Sequence, residues 1–386
     1  METPQDFVTL PAVGATEGKL RLQVSPHDCM GCGVCANTCP AKQKALIMTP
    51  TKDILEREAA NWEYAQNAPT LNAPFKRNTI KGSQFHTPLF EFSYACAGCG
   101  ETAYIKLLTQ LFGERLLIAN ATGCSSIYGG SSPTCPYAKD KNGHGPAWAS
   151  SLFEDNAEFG LGMRLAQDIH EKNDNRSVWC IGGDGWAYDI GYGGLDHLFA
   201  SGKNVNVLVL DSEVYSNTGG QVSKATPMGA TARFAVSGKQ SAKKNLGLMA
   251  MTYKKVYVAQ VSLGANMQQL INALIEAESY DGPSLILAYS PCIAHGFDMS
   301  KSVEEERRAV ASGYWPLYRF NPTMPHPFTL DSKAPTLDFQ EFLAGENRFA
   351  TLQKSNPALA EKLFQEAQAE NQQLFNFYQK LSTFFE

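Results

Sequence analysis

No stretch of the sequence approaches ~18 uninterrupted apolar residues, so nothing in it reads as a membrane-spanning helix. The amino terminus, Met1 to Leu10, has neither a basic start nor an apolar core, so no secretory leader is read there and the cytoplasm is the expected location. Lys/Arg runs are absent and the formal net charge of −5 is modest, so neither nucleic acid nor a membrane surface is expected as a partner. Histidine is sparse. His144, His197 and His295 are scattered without ligand spacing, which points to structural roles. No internal repeat is present.

What the chain does have is length and cysteine. With 386 residues, 44% hydrophobic and 18% charged, it can bury a substantial core, as one large domain and something smaller. Ten cysteines in a long chain without a leader point to metal or redox chemistry rather than disulfides. Four of them fall in Cys29 to Cys39 and three in Cys96 to Cys124.

Organisation follows from pattern. The first twenty residues read as an extended lead-in, and residues 21–49 as a compact cysteine-rich unit. Thr51 to Thr87 lacks sustained periodicity and contains Pro69 and Pro74, so it reads as a linker. The expected division is 1–49, 50–87 and 88–386. Beyond residue 88, Leu116–Ala119, Val178–Ile181, Val205–Leu210, Val256–Val261 and Leu285–Ala288 are short apolar runs, as expected of strands buried on both faces. Helical patterns over Tyr188–Ala200 and Met267–Ser279 separate several of them, which predicts an α/β fold: a parallel sheet with helices on both faces. Ligands of such sheets bind at the carboxyl ends of the strands. The tail, Pro357 to Phe385, places Leu359, Leu363, Phe364, Leu374, Phe377 and Leu381 close to one helix-packing stripe.

Cys29-Met-Gly-Cys32-Gly-Val-Cys35-Ala-Asn-Thr-Cys39-Pro40 has the bacterial ferredoxin spacing for a [4Fe-4S] cluster. In two-cluster ferredoxins the fourth cysteine of such a run serves the other cluster. No second run exists here, so Cys39 either completes this cluster or belongs to a module whose other half is missing; the second is favoured. The amino-terminal segment is thus expected to be a partial ferredoxin-like α+β unit.

After the strand Val178–Ile181 comes Gly182-Gly183-Asp184-Gly185. Its backbone N–H groups can approach phosphate without Cβ obstruction while Asp184 offers a hard oxygen to Mg²⁺. Asn217 lies 33 residues on, in the loop after the next strand. Together with Cys96-Ala-Gly-Cys99-Gly-Glu101, Ala119-Asn-Ala-Thr-Gly-Cys124 and Asp211-Ser-Glu-Val-Tyr-Ser-Asn217-Thr-Gly-Gly, these residues closely resemble the pyruvate:ferredoxin (flavodoxin) oxidoreductase family over nearly the whole chain.

The resemblance implies an enzyme of oxidative decarboxylation, converting pyruvate and coenzyme A to acetyl-CoA and CO₂ with electrons passed to ferredoxin or flavodoxin. It implies thiamine diphosphate, Mg²⁺ and [4Fe-4S] clusters as cofactors. By position, Cys96, Cys99, Cys124 and Cys292 match the ligands of the cluster beside thiamine. Asp184, the Ser212 hydroxyl and the Val214 carbonyl match the Mg²⁺ ligands, with Ser212 departing from the usual Thr. Glu101, Cys124, Gly183, Asp184, Gly185, Trp186 and the loop Ser212, Glu213, Val214, Tyr215, Ser216 and Asn217 match cofactor contacts, and Asn217 reaches toward substrate. Cys135 and Cys180 match no ligand. In the family the activating carboxylate, the pyruvate-holding residues and the coenzyme A segment lie upstream of this portion. The expectation is therefore a catalytic part that needs amino-terminal domains of the same enzyme, as a homodimer when complete. The other readings are an inactive cofactor-binding or electron-transfer fragment, or a relative specific for another 2-oxoacid.

Overall fold

The computed structural model describes residues 2–15, 18–68, 75–130, 135–170 and 174–384. Pro69, Pro74 and Phe385, which the sequence assigns to the linker and the tail, lie outside the described residues. An eight-stranded sheet organises the larger part. Its strands are β1 (Leu116–Ala121), β2 (Ala147–Ser151), β3 (Ser177–Gly183), β4 (Asn206–Asp211), β5 (Tyr257–Val261), β6 (Ser284–Tyr289), β7 (Tyr318–Phe320) and β8 (Phe328–Leu330). The spatial order is β8-β7-β5-β6-β4-β3-β1-β2. All neighbours pair in parallel except β5 with β7 and β7 with β8, which are antiparallel.

Both faces of this sheet are covered, which is why its inner strands read as continuous apolar runs. Successive side chains alternate across a strand. Val207 and Val209 enter one core with the helix Tyr192–Ser201 and the carboxyl-terminal helix, whereas Leu208 and Leu210 enter the other with the helices Thr102–Phe112 and Met267–Ser279. The expected α/β architecture and five expected strands are therefore present. β2, β7 and β8 had no sequence signal: β2 is a partly exposed edge strand, and the other two are three residues each.

The tail forms the expected helix, Pro357–Thr383, capped by the Asn356 side chain. One stripe position is corrected. Phe377 is 47% exposed, and Tyr378 turns inward instead, its ring 4.9 Å from that of Tyr318 and 5.6 Å from that of Phe328. Phe375 is the inward neighbour, and a residue two places further sits roughly 200° around the helix, on the outer side.

The region expected to be a linker contains a 13-residue helix, Leu55–Asn67, and a short one, Ile80–Ser83, capped by Thr79. The first buries only Asn61, so it has no apolar stripe to read. Two aromatic pairs, Phe7 with Tyr64 at 4.8 Å and Trp62 with Phe92 at 5.9 Å, and polar contacts hold it. Glu58 accepts hydrogen bonds from Arg21 (3.0 Å), Gln23 (3.0 Å) and Asn61 (3.3 Å), tying the amino-terminal segment to the helix. Burial alone would raise its pKa, but the hydrogen bonds from Gln23, Arg57 and Asn61 and the Arg21 charge hold it down to about 2. A depressed carboxylate stabilises the fold above its ordinary value of 4.5 and loses that contribution as the pH falls toward about 2. Glu58→Gln should therefore loosen residues 19–24 at neutral pH, and tryptic cleavage after Arg21 should run several-fold faster; an unchanged rate would refute the clamp.

Among the described residues, the amino-terminal segment builds a short antiparallel pair, Leu10–Pro11 with Lys19–Leu20, and the helix Val34–Thr38 inside the cysteine run. That helix docks on the main domain. Asn37 donates to the hydroxyl of Ser300 at 2.7 Å and to its carbonyl at 3.2 Å. Among the described residues, no helix is long and apolar enough to cross a membrane.

Candidate functional site

Chain order places a switch point in the sheet. From β1 the chain passes outward to β2, then returns to β3 on the other side, so the carboxyl ends of β1 and β3 diverge and leave a crevice where ligands of open α/β sheets sit. Thr122, Gly123 and Cys124 follow β1, and Asp184 and Gly185 follow β3. They line a cavity of about 200 Å³ together with Glu101, Phe153, Gly183, Trp186, Val214, Tyr215, Ser216, Asn217 and Thr218.

The loop after β3 is unusual in its backbone. Gly185–Ile190 is a π-helix, followed by the α-helix Tyr192–Ser201, so the expected helix over Tyr188–Ala200 starts earlier and in two pieces. Single π turns are frequent at functional sites. A Cβ on Gly185 would come within 2.4 Å of the Tyr215 ring, so only glycine lets the two phosphate-side loops approach this closely. Trp186 is 2% exposed in the cavity wall, and its indole nitrogen finds no partner among the described residues.

Three oxygens converge beneath the cavity. The Ser212 hydroxyl lies 3.1 Å from Asp184 Oδ1 and 3.2 Å from the Val214 carbonyl oxygen. Adjacent ligand oxygens of an octahedral Mg²⁺ with bonds near 2.1 Å stand about 3 Å apart, so the two distances from the Ser212 hydroxyl match neighbouring positions around such an ion. Ser223 donates to the other Asp184 oxygen at 2.5 Å and fixes the carboxylate. Burial, and then the nearby Asp211 carboxylate, push the Asp184 carboxyl up, a cost that a bound divalent cation would offset. The Ser at position 212 thus places its hydroxyl between the Asp184 carboxylate and the Val214 carbonyl.

Glu213 departs from expectation. Its φ is +60°, in the left-handed region, and its side chain leaves the cavity for a buried network. There it meets Lys243 at 2.9 Å, Tyr314 Oη at 2.6 Å and Arg348 at 2.8 Å. Lys243 and Arg348 hold its carboxylate low in spite of burial. Glu213 thus braces the loop and is not among the residues that line the switch-point cavity. Asn217 is exposed at the loop tip and lines the cavity.

Of the four cysteines assigned to the thiamine-side cluster, Cys124 lines the cavity, with its sulfur 3.2 Å from the Ser216 hydroxyl. Cys96 and Cys99 sit in a turn closed by the Cys99 N–H to the Cys96 carbonyl, and the next amide, Gly100, donates to Pro291, the residue before Cys292. The four sulfurs lie within electrostatic reach of one another. Burial, then the Glu101 carboxylate, raise the Cys99 thiol well above its usual range and Cys124 to about 12; burial takes Cys292 to about 11. Three partly buried thiols, Cys99, Cys124 and Cys292, and the exposed Cys96 beside an acid suit bound iron, whose positive charge would stabilise the thiolates. Glu101 is buried, raised to about 7 by burial, and receives the Tyr128 hydroxyl at 2.9 Å.

In the first run Cys29 and Cys32 precede the helix Val34–Thr38 and Cys35 lies within it, while the Cys39 sulfur turns to the amides of Ala41, Ala45 and Leu46, which lower its pKa. Among the described residues, no three His, Cys, Asp or Glu side chains stand close enough to grip a single ion. Cys135 and Cys180 join neither set, and Cys180 is fully buried against Gly160.

The two sets are mechanically linked. A Cβ on Gly98 would fall 2.4 Å from the Met299 carbonyl oxygen, and Asn37 holds the next residue, Ser300. One turn thus touches both cysteine loops, which no local pattern announced. Nor did any signal mark His295, whose Nε2 lies 2.8 Å from the Ser212 carbonyl oxygen.

The model of the family "Thiamine pyrophosphate enzyme, C-terminal TPP binding domain" matches residues 141–288, a stretch containing Gly183–Trp186 and Ser212–Asn217. The pyruvate:ferredoxin oxidoreductase of Moorella thermoacetica is 51% identical, over 98% of this chain and 39% of that protein. The pyruvate-flavodoxin oxidoreductase of Klebsiella pneumoniae is 46% identical, over 98% of this chain and 38% of its own length. A solved 2-oxoglutarate:ferredoxin oxidoreductase from Magnetococcus marinus with 2-oxoglutarate, coenzyme A and succinyl-CoA bound aligns at a TM-score of 0.44 and 21% identity, covering 52% of this chain and 65% of that one. With high identity over nearly all its residues, the chain belongs to the pyruvate:ferredoxin/flavodoxin oxidoreductase family and spans about two fifths of the length of the relatives it matches.

Proposed function

We propose that the chain is the thiamine-binding and cluster-binding part of an enzyme that oxidises pyruvate with coenzyme A to acetyl-CoA and CO₂. Each turnover releases one proton and two electrons, and the electrons go to ferredoxin or flavodoxin. The observation that carries this reading is the convergence of the Asp184, Ser212 and Val214 oxygens beside Cys124 at the switch point. Bound thiamine diphosphate supplies the electron sink that decarboxylation of a 2-oxoacid lacks.

In this reading Asp184, the Ser212 hydroxyl and the Val214 carbonyl hold Mg²⁺. Gly183 to Trp186 present backbone N–H groups and an indole to the cofactor, and Glu101, Cys124, Tyr215 and Ser216 complete the wall. Asn217, at the exposed tip, faces the substrate. Cys96, Cys99, Cys124 and Cys292 hold the [4Fe-4S] cluster nearest the reaction. Cys29, Cys32 and Cys35 hold part of a second, with Cys39 turned toward its own following loop. Residues 1–49, 50–87 and 88–386 are then the cluster arm, a connector with its own helix, and the thiamine domain. The remaining domains of the enzyme, and a second copy in a homodimer, supply the coenzyme A site and the pyruvate-holding groups.

The test is to supply pyruvate, coenzyme A and a one-electron dye to anaerobically reconstituted chain. Thiamine diphosphate binding without turnover is expected from the chain alone, with turnover on adding the remaining domains. Turnover by the chain alone would overturn the division of labour. Failure to bind thiamine diphosphate with Mg²⁺ would overturn the cofactor reading, and a faster rate with another 2-oxoacid would reassign the substrate.

A further inference from the structure

Resting on that reading, we propose that His295 is a positioning residue for the Mg²⁺-bearing loop, locking it to the turn that carries Cys292. His295 is fully buried and ends the short turn Ile293–His295, whose first cap is Cys292: the Cys292 sulfur accepts the Ala294 N–H at 3.4 Å. From this turn the imidazole crosses to a segment 83 residues earlier and donates from Nε2 to the Ser212 carbonyl oxygen at 2.8 Å. A carbonyl only accepts, so the direction of this bond is fixed. The peptide it grips joins Ser212, whose hydroxyl touches Asp184 and Val214, to Glu213, whose left-handed φ of +60° a non-glycine side chain resists.

That strained step is held from several directions. Thr226 donates to the Glu213 carbonyl at 2.6 Å, and the Glu213 N–H reaches Asp211 Oδ1 at 3.2 Å. The other ring nitrogen of His295 faces Glu346 Oε1 at 3.4 Å; Glu346 binds Arg348, and Arg348 returns to Glu213 at 2.8 Å. The contacts close a loop, from Cys292 through His295 to Ser212 and Glu213, and back through Arg348 and Glu346. Partners that orient a metal's ligands are worth roughly 10–100-fold in affinity although they never touch the ion. In this chain the arrangement also means that the cluster-side turn and the metal-side loop cannot shift independently.

The experiment compares the reconstituted full chain with His295→Leu and His295→Gln, the glutamine keeping an N–H donor at similar reach. Hydrogen exchange of the amides of residues 214–217 is read first, without cofactor. It should quicken roughly tenfold in His295→Leu, the factor expected for losing one buried hydrogen bond, and return toward normal in His295→Gln. Titration with thiamine diphosphate and Mg²⁺, followed by tryptophan fluorescence, should show roughly 10–100-fold weaker binding for the leucine variant and recovery in the glutamine variant. Equal loop exchange in wild type and both variants would overturn the proposal, as would a glutamine variant that folds like wild type yet behaves like leucine. Absence of thiamine diphosphate binding by wild type itself would instead sink the functional reading, and the exchange data would still decide the role of His295.

Discussion

Asp184→Asn should leave a folded chain that no longer retains thiamine diphosphate with Mg²⁺. The substitution preserves shape, so Ser212 and Ser223 keep a partner at 3.1 Å and 2.5 Å. What it removes is the only carboxylate among the three converging oxygens, and Mg²⁺ selects hard anionic oxygen. Loss of a direct ligand should exceed the roughly 10–100-fold cost of losing a group that merely orients one, so affinity should fall more than about 100-fold. Stability should move the other way. Asp184 is buried near Asp211, and both carboxyls are raised, first by burial. A neutral amide relieves that conflict, so the thermal midpoint of the cofactor-free variant should equal or exceed that of wild type. Trp186, in the cavity wall, offers the fluorescence readout. Wild-type affinity in the variant would remove Asp184 from the metal site.

Cys292→Ala should cost the reconstituted protein about four of its roughly eight irons, one whole [4Fe-4S] cluster, while Cys32→Ala should cost the other four. The two losses should add, since no residue is shared between the sets. Cys292 is the most telling of the thiamine-side ligands because it follows β6, 168 residues beyond Cys124, and is brought to Cys99 through the Gly100 bond to Pro291. Iron and sulfide analysis with the electron paramagnetic resonance of the reduced protein reads the outcome. Unchanged iron in Cys292→Ala would dismiss the four-cysteine assignment. Cys39→Ala separates the two readings of the ferredoxin-type run: retained iron assigns Cys39 to a partner half, as its turn toward Ala41, Ala45 and Leu46 favours, and lost iron assigns it to this cluster.

The signals legible in the chain were those written in a few consecutive residues. Cysteine spacing, Gly-Asp-Gly after an apolar run, and strands apolar at every position each encode their chemistry locally, because ligand reach, phosphate approach and two-sided burial depend on near neighbours. Weak or ambiguous local signals misled. The helix Leu55–Asn67 is held by polar contacts and isolated aromatic pairs and has no buried apolar stripe, and β2, β7 and β8 are too exposed or too short to show one.

From sequence alone came the ligand types, the α/β class and the candidate residues of both cysteine sets. Only the tertiary structure decided that Glu213 turns from the cavity into a buried brace, that Tyr378 rather than Phe377 packs inward, that one turn touches both cysteine loops, and that His295 underpins Ser212. Each of these is a contact between segments whose proximity follows from strand order and crossover, and strand order is set by how whole faces bury together, which no short run of residues carries.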